Sequence, residues 1–408
     1  MARLFGLTKK HVCFYLLKEK QTRFLTFVTP PTPIYLDCNA TTPMEAEVQT
    51  AVFHYLADEF GNAGSRTHEY GNRAKVAVQQ ARDHVAAVVS AKREEVIFTS
   101  GATESNNLAL LGLREHGMKT GKKHIVSTAI EHKAVLEPLD HLRAHGFEIS
   151  LIAPDSSGRV NAASIHSAVR SDTLLVSVMH ANNETGVLQP IDEIASALTA
   201  HDAFLHVDAA QSFGKEISPL KNPRIDLISI SAHKIYGPKG IGALITRRRG
   251  YDRPPLAPLF FGGGQERGLR PGTLPVALIV GLGKASELAL RDHAKRRKHC
   301  LEIKEAARVA LRAAGAEEIG ASATALPSTL NARFAGLDSE ALMVALKDLV
   351  AISNGSACTS SSYTPSHVLK AMGLDDAAAN QCLRFSWSHL TPKVDWKAVA
   401  ERIKNLQG

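Results

Sequence analysis

The stretch Asp226–Thr246, DLISISAHKIYGPKGIGALIT, decides how the chain is read. It opens on an apolar run, DLISIS, and closes on another, GALIT, each too short for a helix. Between them stand His233, Lys234 and a Gly-Pro-Lys-Gly turn. Short apolar runs bounded by turn residues mark strands buried on both faces. A lysine where such a strand ends commonly snorkels to solvent. The alternative is an amine held in a pocket to form a Schiff base with a carbonyl.

The same pattern extends upstream. EVIFTS (95–100), HIVSTA (124–129), FEISLIAP (147–154), TLLVSVMH (173–180) and FLHVDAA (204–210) are further strand candidates. Segments of helical periodicity lie between most of them, such as Glu104–Leu113 and Ile191–Ala200. Strands alternating with crossover-length helices predict a mainly parallel sheet covered by helices, so the class is α/β. Long helices are expected from about 276 to 315. A mixture of strands and short helices follows, read as a smaller α+β C-terminal domain. The expected division is therefore a basic, poorly ordered extension (1–33), a large domain (34–290) whose first segment packs on the small one, and the small domain (291–408).

The 408 residues carry a formal charge of +8. Residues 1–33 hold six bases (Arg3, Lys9, Lys10, Lys18, Lys20, Arg23) against Glu19, which accounts for five of those charges. The remainder carries only +3 (8 less 5), which argues against a direct nucleic-acid contact. The runs Arg247–Arg249 and Lys295–Lys298 are expected to be solvated faces. No apolar run approaches the ~20 residues of a membrane span, so a cytoplasmic protein with no membrane partner is expected. The basic arm leaves three readings open: a mitochondrial presequence, an extension, and a start codon placed too far upstream. Five cysteines (Cys13, Cys38, Cys300, Cys358, Cys382), without CxxC spacing, fit a reducing compartment and no disulfide framework. No metal site is expected.

Polar clusters sit where the strands end, which is where open α/β sheets carry their sites. SGATESNN follows EVIFTS and opens a helix, a terminus suited to an anion. DAAQS places Asp208 and Gln211 after the next such strand, and Lys234 follows DLISIS. An anion cradle, an acid and a lysine on one edge meet the needs of pyridoxal phosphate: phosphate nest, partner for the pyridine nitrogen, and amine. No P-loop is present to support a nucleotide.

YLDCNATTP, FTSGATESNNLA, EHKAVLEPL, MHANNETGVLQPI, HVDAAQSFGK, SAHKIYGPKGIGAL, GGGQERGLRPGTLPV, SNGSACTSSSYTPSHVLKAMGL and LRFSWS occur in that order. Together they resemble the cysteine desulfurases, fold-type I pyridoxal-phosphate enzymes of the class V aminotransferase group, from about residue 34 to the C-terminus. The loop wording resembles the group with a GSACTS signature, including desulfurases that supply sulfur for DNA phosphorothioation. The resemblance implies conversion of L-cysteine to L-alanine, with the sulfur passing to Cys358 as a persulfide and then to an acceptor protein. DNA phosphorothioation, iron–sulfur cluster assembly and tRNA thiolation remain open as destinations. It implies Lys234 as the Schiff-base lysine, Asp208 at the pyridinium nitrogen, Gln211 at the ring hydroxyl, and His132 stacked on the ring and assisting proton transfer. Ala102, Thr103, Ser231 and His233 would hold the phosphate, with Thr273 reaching across the interface of a homodimer. Arg384 would bind the substrate carboxylate, helped by Asn183.

Cys358 lies among Ser353, Asn354, Gly355, Ser356 and Thr359, a composition that reads as an exposed, mobile loop. Cys13, Cys38, Cys300 and Cys382 read as structural, Cys38 with the least support because it lies within an active-site motif. The chain departs from the commonest family wording at Asn354, at Pro271 and at SWSH after Arg384. Two rival classes stay open: another class V enzyme, such as an aminotransferase or selenocysteine lyase, and a non-catalytic partner-binding relative. The latter should have lost Lys234, Asp208 or Arg384, and all three are present.

Overall fold

The computed structural model describes residues 33–320, 324–355 and 365–407. Its strands, in chain order, are β1 Ile34–Tyr35, β2 Val96–Thr99, β3 His124–Thr128, β4 Glu148–Ile152, β5 Thr173–Met179, β6 Phe204–Asp208, β7 Leu227–Ser231, β8 Gly242–Thr246, β9 Ala316–Ile319, β10 Thr329–Phe334, β11 Val350–Ala351 and β12 Cys382–Ser386. Every strand expected between 95 and 246 forms. GALIT matches its range residue for residue.

Seven strands make one sheet in the order β2-β8-β7-β6-β5-β3-β4. Strand β8 runs antiparallel to both β2 and β7, while β7 through β4 are parallel. Reversal of β8 alone leaves β2, β3, β5, β6 and β7 pointing one way. Their carboxyl ends therefore share one edge. Every residue of β5, β7 and β8 is buried, as strands covered on both faces require. The two faces feed separate cores: Val96 and Phe98 of β2 and Ala243 and Ile245 of β8 point into one, Ile97 and Leu244 into the other. At the edge, β4 is half-exposed and carries Glu148, which pairs with Arg170 and blunts the open edge.

A third core lies around the antiparallel sheet β12-β10-β9, packed with Phe334, Phe385, Trp387 and Trp396. Helices His293–Ala313 and Trp396–Lys404 contribute Leu311, Val399 and Ile403 to it. Leu36 belongs to this core, and β1 pairs in parallel with β11. The chain thus enters along the small sheet before it turns into the large unit at Asn39–Thr42.

One arginine in each basic run departs from the expected solvated face, while Arg249, Lys295, Arg297 and Lys298 are exposed as expected. Arg247 is buried and donates to the carbonyls of Asn222 (2.6 Å) and Leu220 (2.7 Å). Arg296 is buried against Glu45 at 2.7 Å. A guanidinium can satisfy several carbonyls at once, as Arg247 does, or pair with a carboxylate, as Arg296 does with Glu45, and either partner offsets its burial.

Candidate active site

A cavity of about 460 Å³ lies at the shared carboxyl edge, lined from β2, β5, β6 and β7 and from the segments that follow them. It brings together Ala102, Thr103, His132, Asn183, Asp208, Gln211, Ser231, His233, Lys234 and Arg384, residues spread over most of the chain.

Lys234 closes a short 3-10 turn, Ala232–Lys234, directly after β7. Its Nζ donates to the carbonyl of Ala40 at 2.9 Å and to that of Asn39. The amine is therefore held at the cavity wall by the opening segment and does not snorkel. Tyr236 two residues later has φ +68°, a left-handed conformation costly for a bulky residue, which turns the chain away sharply.

Asp208 ends β6 and is buried. Its Oδ1 accepts from the amide of Ala210 (2.9 Å) and its Oδ2 from Nδ2 of Asn106 (2.8 Å). Asn106 was not singled out from sequence. It lies one helical turn beyond Ala102 in the helix Ala102–Leu111, on the same face, so the i, i+4 spacing within SGATESNN was the available signal. Gln211 donates to the carbonyl of Asn39 at 2.9 Å, while its Oε1, like Asn106 Oδ1, is buried without a partner. Buried orphaned acceptors are costly, and both residues line the cavity, where a ligand's donor can reach them.

Gly101 precedes the helix Ala102–Leu111. Close packing fixes this corner: a Cβ on Gly242 would stand 2.7 Å from the Cα of Gly101. The free N–H groups of that helix terminus face the same cavity as Ser231 and His233. Burial, with Lys234, Lys239 and Lys215 nearby, pushes His233 down to about 4, so it is neutral. His132 caps the helix Lys133–Ala144, its Nδ1 accepting from the amide of Ala134 at 3.1 Å. Burial lowers its pKa as well, which places the proton of the neutral ring on Nε2.

Arg384 is buried in β12 and reaches the cavity from the small sheet. One Nη donates to Asp37 (2.6 Å), the other to the carbonyl of Asn183 (3.0 Å), and Nε has no partner. Asp37 was also not singled out from sequence. Thr273 is exposed and does not line the cavity of its own chain. Cys358 lies outside the described residues. Cys38, Cys300 and Cys382 are buried, and burial pushes their thiols up to about 11, 12 and 12, which makes them poor nucleophiles.

The class V aminotransferase family model matches residues 34–399. Among curated proteins, the cysteine desulfurase IscS of Anaeromyxobacter sp. (strain Fw109-5) is 45% identical over 382 residues, 92% of this chain and 93% of that one. Among solved structures, DndA from Streptomyces lividans is 51% identical with a TM-score of 0.77, covering 87% of this chain and 99% of its own. A structure of SspA in complex with cysteine is 36% identical with a TM-score of 0.77, covering 88% and 100%. The chain therefore belongs to the class V aminotransferase family. Within it, the chain groups with the cysteine desulfurases.

The residues at the cavity fit the cofactor of that family. A buried carboxylate steadied by Asn106, an unpartnered Gln211 Oε1, a helix terminus beside Ser231 and a lysine at the strand end supply one group for each polar part of pyridoxal phosphate. Among the described residues no group of side chains could hold a metal, and no helix is long and apolar enough to cross a membrane.

Proposed function

We propose that this cysteine desulfurase holds pyridoxal 5'-phosphate on Lys234, takes sulfur from L-cysteine onto Cys358 and passes it to an acceptor protein. The convergence of Lys234, Asp208 and Arg384 on one cavity carries the reading. Asp208 would meet the ring nitrogen, Gln211 the ring hydroxyl and His132 the ring face. Ala102, Thr103, Ser231 and His233 would take the phosphate, with Thr273 of the partner subunit. When bound, the cofactor withdraws electrons from the substrate Cα and acidifies its proton.

The chain's own groups do the rest. Arg384 and Asn183 orient the carboxylate of L-cysteine. The Nζ of Lys234 moves the Cα proton, and His132, with its proton on Nε2, assists transfer at the substrate. The Cys358 thiolate attacks the substrate sulfur: an S–S bond forms, the C–S bond breaks with its electron pair left on carbon, and protonation there gives alanine. Exchange with an acceptor thiol then removes the sulfur from Cys358. The raised pKa values of Cys38, Cys300 and Cys382 support Cys358 as the nucleophile.

A homodimer belongs to the same proposal, supported by the exposure of Thr273 and of Phe261, which is 88% exposed. So does the division into a cofactor-binding unit of 34–290 and a small unit of 291–408. DNA phosphorothioation ranks first among the destinations, supported by the loop wording and by the 51% identity to DndA. The cytoplasm is the compartment that fits. Reconstituted protein should be yellow, lose its visible band on borohydride treatment, and release alanine and sulfide from L-cysteine in equal amounts with a thiol reductant. Lys234→Ala should lose all three properties. A colourless reconstituted wild type, or sulfide without alanine, would overturn the proposal.

A further inference from the structure

Arg384 is a buried guanidinium whose charge is already matched inside the protein. Its side chain is 5% exposed and that of Asp37 is 21% exposed, at 2.6 Å. The other Nη is taken by the carbonyl of Asn183, and Nε faces no acceptor. An arriving carboxylate would set two negative charges against one buried guanidinium. That arrangement is unstable unless one of them leaves.

The geometry says which carboxylate can move. Backbone bonds pin the segment around Asp37: Ser386 donates to the carbonyl of Leu36 (2.8 Å) and Cys38 to that of Ser386 (3.0 Å). Tyr35 Oη donates to the carbonyl of Asp37 itself at 2.9 Å. The main chain is fixed, so only rotation of the side chain is free. Asp37 is the more exposed partner and can swing toward water, whereas Arg384 lies in the middle of a strand paired to β10 and bonded through its amide to Ser353.

We infer that Asp37 is a positioning residue that acts through Arg384 as an exchangeable counter-ion: it holds the guanidinium before substrate arrives, yields it to the substrate carboxylate, and recaptures it as alanine leaves. The inference rests on the proposed role of Arg384 in carboxylate binding. Asp37 thereby weakens the hold on substrate and product alike and promotes turnover. A residue with only a structural role would, on removal, weaken binding; this one should strengthen it.

Holoenzyme titrated with L-alanine, followed by the visible spectrum and by calorimetry, tests this. Asp37→Asn removes the competing charge at constant shape. Like charges about 6 Å apart at an effective dielectric near 20 repel enough to shift affinity roughly 10- to 100-fold. Alanine should therefore bind that much more tightly to Asp37→Asn, with KM for L-cysteine lowered and kcat lowered through slow product release. Ethylamine, which lacks a carboxylate, should bind wild type and Asp37→Asn equally. Asp37→Glu keeps the charge and should stay within a few-fold of wild type. Unchanged or weaker alanine binding by an Asp37→Asn protein that retains the visible band overturns the inference. Arg384→Ala separates the two layers: if it binds alanine as wild type does, the assignment of Arg384 fails, and the role of Asp37 fails with it.

Discussion

Glu131 makes the pH dependence of stability predictable. It is fully buried between β3 and His132, and burial pushes its carboxyl up to about 8. Bonds from Thr128 Oγ1 (2.6 Å) and the amide of Met179 (2.9 Å) to Oε1 oppose that rise, while Oε2 has no partner. The nearby charge of Asp208 adds to the rise. Between the unfolded value of about 4.5 and the folded value of about 8, the folded chain keeps a proton that the unfolded chain has lost. Stability from this group is thus complete below pH ~4.5 and declines as pH rises through 8, by about 1.4 kcal/mol per unit. Across the whole window the loss is on the order of 5 kcal/mol. Glu131→Gln keeps the shape and an acceptor for Thr128 and Met179 but cannot ionise. Its stability relative to wild type should therefore grow with pH from 5 to 8 and level off above. Urea unfolding of both holoproteins at half-unit pH steps measures the difference directly. Parallel curves for the two proteins would mean that Glu131 does not stay protonated in the fold, and would refute the reasoning.

Cys358→Ser should keep the visible band and exchange the Cα proton of L-cysteine with solvent, yet release almost no alanine or sulfide. Mass spectrometry of wild type after L-cysteine, without reductant, should add about 32 Da to the peptide carrying Cys358, one sulfur transferred by thiol chemistry; the same mass on Cys38 would identify the wrong nucleophile. Glu266 and Arg82 form a buried pair, with side chains 1% and 6% exposed, in which Glu266 also accepts from the amide of Phe98 at 2.7 Å. Glu266→Ala strands the arginine charge and should cost about 3–5 kcal/mol in urea unfolding. Because Glu266 anchors the loop that carries Arg270 and Thr273, the same variant should also weaken retention of pyridoxal phosphate on dilution, and a loss under 1 kcal/mol would show the pair to be dispensable.

What the sequence disclosed and what it concealed follow one physical division. Strands between 95 and 246 were legible because burial on both faces demands continuous apolar runs, and the turn residues that end them are local signals. Lys234 and Asp208 were legible for the same reason: each stands directly after such a run. Strand β9 (AEEI) is not legible because two adjacent glutamates leave no apolar period in its four residues, and its strand character comes from pairing with β10. The two-residue strands β1 and β11 carry too few residues for any period. The burial of Arg247 and Arg296 is not legible because charge patterning says nothing of the carbonyls that tertiary structure brings to Arg247 or of the Glu45 carboxylate that it brings to Arg296.

The site shows the same division more sharply. Asn106 could have been found from helical spacing, since its relation to Ala102 is local, but its bond to Asp208 joins residues 102 positions apart. The Asp37–Arg384 pair spans 347 positions, and neither residue has a neighbour in sequence that announces the other. Both pairs were invisible because they are made by the sheet edge itself. β6 delivers Asp208 and β12 delivers Arg384, while the opening segment, paired to β11 through β1 and bonded to Ser386 of the small sheet through Leu36 and Cys38, delivers Asp37, Asn39 and Ala40 to meet Arg384, Gln211 and Lys234. One short segment therefore contacts Lys234, Gln211 and Arg384 at once. A substitution that loosens its pairing, such as Leu36→Ala at a fully buried position, should disturb all three before it unfolds the large sheet, because the cores that hold the parallel strands are built from other residues.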